Sequence, residues 1–171
     1  MKKCIVCIVM LLGLSVVSFA QTPLVDRMLK LENIYEEQFD EYGLDGVPGM
    51  LTLAENATAE EINMRVSHDP ECGFTALMHA VLHSRSEKVI KALLANGADV
   101  ALHDCSNRSV LDIATAFWQP TRPEFQLLLD AGVPEKDMIK AARSYELTYR
   151  VILEWAEKNQ KTELLDKLEA I

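Results

Sequence analysis

The chain has 171 residues, with 17 Lys and Arg against 26 Asp and Glu, a formal net charge of −9. That balance repels phosphate backbones and anionic lipid, so nucleic-acid and membrane-surface roles are disfavoured and a basic protein partner is the better electrostatic match. The length suits one domain with a core of its own.

The first segment, "MKKCIVCIVMLLGLSVVSFA", begins with Lys2 and Lys3, runs apolar and uncharged, and closes on Ser18-Phe19-Ala20. Small residues at the two positions a signal peptidase reads make this a secretory-signal layout, with cleavage expected after Ala20. The expectation is a mature chain 21–171, periplasmic or secreted, with no membrane insertion after cleavage. No later segment is apolar enough to span a bilayer. Losing Lys2 and Lys3 takes the formal charge from −9 to −11 and leaves two of the four cysteines, Cys72 and Cys105. Two are too few to build a disulfide scaffold, so the fold must rest on its core.

From Pro23 onward Leu24, Met28, Leu31, Tyr35, Phe39 and Tyr42 form one apolar stripe at helical spacing, and Gly43 ends it. "GLDGVPG" is a turn-rich break. Two short helices are then expected, one near 50–55 and a second capped by Thr58 with Glu61 three residues on, a capping box. Nothing alternates with a period of two for long. The rest reads as short helices separated by loops.

Short helices in series call for a repeat search. "GFTALMHAVLHSRSEKVIKALLANGADV" (73–100) aligns with "NRSVLDIATAFWQPTRPEFQLLLDAGVP" (107–134). Thr75 falls on Ser109, Leu77 on Leu111 and Ala80 on Ala114; Leu93-Leu94 falls on Leu128-Leu129 and Gly97 on Gly132. Each copy has a hydroxyl residue to cap a first helix, a small Ala for close helix approach, a second helix ending Leu-Leu, and a Gly whose left-handed conformation stops it.

These two stretches resemble the ankyrin repeat. "GFTALMHA" stands where that family has G-x-T-P-L-H-x-A, and "LLANGADV" where it has L-L-x-x-G-A-D-V. The chain departs at Ala76 and Val110, which replace the Pro, and at Met78 and Asp112, which replace the His. The resemblance implies an all-α solenoid of stacked helix-turn-helix units with helical caps. Its expected parts are an N-terminal cap over 21–43, a degenerate unit over 44–68, repeats over 69–102 and 103–134, and a degenerate unit with a C-terminal cap over 135–171. About four stacked helix pairs are expected.

The family binds partners through finger tips and the concave face of the first helices. Carried onto this sequence, the fingers offer Glu71, Cys72 and Phe74, then His103, Cys105, Ser106 and Arg108. The helix ends offer Leu82 and His83, then Ala116, Phe117 and Trp118. Aromatics and Arg are the residue types that dominate binding energy, which puts weight on Phe117, Trp118 and Arg108. Cys72 and Cys105 fall in adjacent fingers. Helix-packing distances of about 10 Å between units oppose a bond that needs Cα atoms within about 7 Å, while an export compartment favours it.

No nucleophile motif and no phosphate-cradling loop is present. His79 and His83, four apart on one helix, have a chelating spacing, but no third ligand follows on that helix. No catalytic residue, metal or cofactor is therefore expected, and His79 is expected to point into the core. The expected function is a non-enzymatic, exported, monomeric module that binds and neutralises or protects one protein partner. The alternative is a structural or assembly subunit of an envelope complex, with an enzyme behind both.

Overall fold

Hydroxyl caps open the helices where the sequence places them. The structure, a computed structural model, describes residues 23–35, 49–65, 73–83, 86–117, 120 and 123–171. The Met78 N–H donates to Thr75 Oγ1 (3.4 Å), and the Asp112 N–H donates to Ser109 Oγ (3.1 Å). Asp112 Oδ2 accepts in return from the Ser109 N–H and hydroxyl, closing a box on Asp. Thr58 and Glu61 make both halves of theirs.

The described residues form ten helices and no strand: α1 Leu24–Tyr35, α2 Met50–Asn56, α3 Ala59–Asn63, α4 Ala76–Leu82, α5 Glu87–Ala95, α6 Val110–Phe117, α7 Pro123–Asp130, α8 Glu135–Ser144, α9 Glu146–Lys158 and α10 Thr162–Glu169. The fold is an all-α stack of helix-turn-helix units. An inner row runs α1, α4, α6, α8, each packed on the next. An outer row runs α2, α5, α7, each packed on the next and on its own inner helix. α9 pairs with α8 and reaches α7 through Trp155 Nε1, which donates to Asp130 Oδ1 (2.8 Å). α10 covers α8 and α9. Leu77, Ala80, Ile90, Leu93, Leu111, Ala114, Phe125, Leu128 and Ile152 are buried between the rows.

The first unit is drawn differently from the expectation of a cap over 21–43 and a helix pair within 44–68. The contacts pair α2 with α1, not with α3. The reason is area: α3 buries one side chain, Ile62, whereas α1 brings Leu24, Val25 and Met28 to cover Met50 and Ala54. α3 instead lies under the turn after α5. There Asn63 Nδ2 donates to the Gly97 carbonyl and its Oδ1 accepts from the Asp99 N–H. The part of the stripe at Phe39, Tyr42 and Gly43 lies outside the described residues.

Gly97 and Gly132 have φ of +91° and +87°, the left-handed conformation expected of them. After α7 the chain has Val133-Pro134 in place of a finger, and α8 starts at once, with Pro134 as its N-cap.

Candidate functional site

Residues 103–109 form the finger between the second and third units. His103 and Ser109 make an antiparallel bridge. The Asp104 N–H donates to the Arg108 carbonyl and the Asn107 N–H to the Asp104 carbonyl, both at 3.0 Å. Asn107 takes φ +58°, so this is a three-residue hairpin loop whose last residue is left-handed, on one of the few side chains that tolerates it.

One buried carboxylate braces the loop. Asp104 Oδ1 accepts from the N–H groups of Ser106 (2.9 Å) and Arg108 (2.8 Å), and Oδ2 accepts from Arg108 Nε (2.7 Å). Cys105, Ser106 and Asn107 are left exposed at the tip. The Arg108 guanidinium lies 5.5 Å from the ring centre of buried Phe74, within cation–π range, and so joins this finger to the preceding one. On the other side His103 Nε2 lies 3.0 Å from Oδ1 of buried Asp137 in the first turn of α8. Lys140, one turn further along α8, donates to the Asn107 carbonyl (3.1 Å) and to Asp112 (2.8 Å).

Of the residues expected to meet a partner, His103 and Arg108 are thus engaged first with their own chain. Ser106 is an exposed tip residue. Leu82 is half-buried against the core, and His83 is exposed at the end of α4. The His83 ring lies 4.4 Å from that of His79, which is fully buried as expected. Phe117 ends α6; its side chain, Trp118, Glu71 and Cys72 lie outside the described residues. Cys105 is disulfide-bonded. Its Sγ lies 3.0 Å from the point a Cβ would occupy on Gly73, so neighbouring fingers come much closer than the helix-packing distance suggests.

The segments leading into α4 and α6 therefore adjoin, and the two helices pack on each other. The candidate residues fall into two groups, finger tips at one end of the inner row and helix ends at the other. Sequence reasoning missed the third member of the second group. Tyr145 follows α8 where His83 follows α4 and Phe117 closes α6, and it is exposed. An aromatic at the close of each of these inner helices was a readable signal, hidden because the α8–α9 unit lacks the glycine that aligned the two before it. Among the described residues no group of three His, Cys, Asp or Glu side chains is placed to hold a metal ion, and no helix is long and apolar enough to cross a membrane.

Helices α4 and α5, the glycine-closed turn and the finger coincide with a match of residues 72–113 to the family model of the ankyrin repeat. This segment is ankyrin-repeat sequence. The ankyrin match runs through α4, α5 and the braced finger into the first turn of α6. Nothing matches among curated proteins or solved structures. Ankyrin repeats generally mediate protein–protein interaction and are typically non-enzymatic.

Proposed function

We propose that the chain is an exported, monomeric protein-binding module that grips one partner, of basic character, and neutralises or protects it. The observation that carries the reading is the finger at 104–108. A loop held by three hydrogen bonds to one buried carboxylate loses little conformational freedom on docking, which is how a small surface reaches useful affinity. The exposed tip and the helix ends at His83, Phe117 and Trp118 are the contact surface we assign.

Export is supported by the layout of residues 1–20 and by the disulfide at Cys105, since cytosolic thiols are kept reduced. We assign Cys72 as its partner, the neighbour of Gly73 in the chain. Thiol titration of the unfolded, unreduced mature protein should find no free thiol; two free thiols contradict the assignment. Intact mass should start at Gln21, and a chain retaining Met1 contradicts export.

The binding reading is tested by capture from cell-envelope extract with the mature protein, followed by Trp118→Ala. One stoichiometric partner is expected, with affinity weakened by about 2 kcal/mol in the variant and an unchanged melting temperature. Many weak partners, or a variant that melts early, contradict it.

A further inference from the structure

At the end of the stack the surface changes character. Tyr145, Leu147 and Ile171, with relative exposures of 55%, 45% and 49%, are the exposed large apolar side chains among the described residues, and all three fall in the last unit. Tyr145 is the extended N-cap of α9, its carbonyl accepting the N–H of Tyr149 one turn on. Beside them is an open groove of about 320 Å3 between the α8–α9 junction and the end of α10. Ala142, Tyr149, Leu168 and Ile171 give it an apolar lining, and Arg143, Glu146 and Glu169 stand around it. The volume is at the bottom of the range for small-ligand pockets, roughly 300–1,000 Å3, and suits one large side chain better than a whole cofactor.

The charges say what should accompany that side chain. The neighbouring carboxylates Glu135 and Glu163 are taken by Lys167, at 2.9 and 2.7 Å. Glu146 and Glu169 have no ion-pair partner among the described residues, and the single guanidinium of Arg143 does not offset two carboxylates in a chain of net charge −9. Two unneutralised carboxylates beside an apolar slot favour a cation flanking an apolar anchor.

We propose that this groove is a docking site for a segment of a protein partner that inserts one large apolar side chain with Lys or Arg next to it. The proposal rests on the protein-binding reading and extends its surface along the helix-end edge, from His83 and Phe117 to Tyr145. The finger contributes nothing to this groove.

The test uses two probes on the whole mature protein, N-acetyl-Lys-Trp-Lys-amide and its Glu-Trp-Glu counterpart, followed through backbone amide NMR shifts. The Lys peptide should move the amides of residues 142–149 and 168–171, at least about fivefold more tightly than the Glu peptide, the scale expected of two exposed ion pairs. The double variant Glu146→Lys with Glu169→Lys, both on the surface, should reverse the preference. Shifts centred elsewhere, equal response to both peptides, or no response at millimolar concentration overturn the proposal. So does a dimer in sedimentation that Leu147→Lys abolishes, because a second copy then fills the site. A failure here with partner capture intact removes the groove and leaves the protein-binding reading standing; loss of capture through Trp118 or the finger removes that reading instead.

Discussion

At the end of α5 and at the end of α9 the chain makes one turn with two different residues. After α5 the Ala98 N–H donates to the Leu93 carbonyl and the Gly97 N–H to the Leu94 carbonyl, at 3.0 and 3.1 Å. After α9 the Lys161 N–H donates to the Ala156 carbonyl and the Gln160 N–H to the Glu157 carbonyl, at 2.9 and 3.1 Å. Both are the paired-bond helix stop that needs a left-handed residue, Gly97 at φ +91° in one and Gln160 at φ +55° in the other. The hydrogen bonds define where the helix ends; the residue only sets what the turn costs. A side chain in that conformation costs about 1 kcal/mol or more, which the packing of α8, α9 and α10 offsets.

The comparison can be broken at each turn. The largest effect is expected at Gly97, where an added Cβ would stand 3.0 Å from the Ala59 Cβ as well as in a disfavoured φ. Gly97→Val should lose about 2–3 kcal/mol in denaturant unfolding, and a neutral result would mean that the turn is free to change conformation. Gly132 has the same φ and nothing within 4 Å of its added Cβ. Gly132→Ala should therefore lose only about 1 kcal/mol, the backbone term alone. Gln160→Gly should gain about 0.5 kcal/mol, relief of the turn less the added freedom of the unfolded chain.

The smallest effect is expected at Lys167, which bridges α10 to α8 and is pushed up to about 12 by hydrogen bonds from its ammonium to Glu163 and Glu135. Glu163 is held below the usual carboxylate range by the same hydrogen bond. A raised lysine contributes below its ordinary 10.5 and loses that contribution as pH rises through about 12. These groups are exposed and solvent-screened, so Lys167→Met should leave the neutral-pH melting temperature unchanged; a clear drop would show that α10 hangs on this contact.

Thr75, Ser109, Gly97 and Gly132 each carry a residue type tied to one backbone conformation, so the two central units were legible from residue identity. The α8–α9 unit keeps the conformation without the residue, and only its helices were visible. At the N-terminus a short helix near 50–55 was expected and is found, but its packing against α1 was not, because an apolar stripe says that a face is covered and not by what. In the candidate site the exposed tip at Ser106 followed from position in the repeat. The engagement of His103 by Asp137 did not, since it joins side chains on different units that no local pattern links.

We assign partner contact to the braced finger and not to the outer helices. The direct measurement is the affinity of the captured partner for two variants at exposed positions, Ser106→Trp on the finger and Lys88→Trp on α5, each with its melting temperature. Ser106→Trp should abolish or weaken binding by at least about tenfold at unchanged stability, and Lys88→Trp should bind as the parent chain does. Full binding by Ser106→Trp together with loss in Lys88→Trp would place the partner on the outer row and contradict the account.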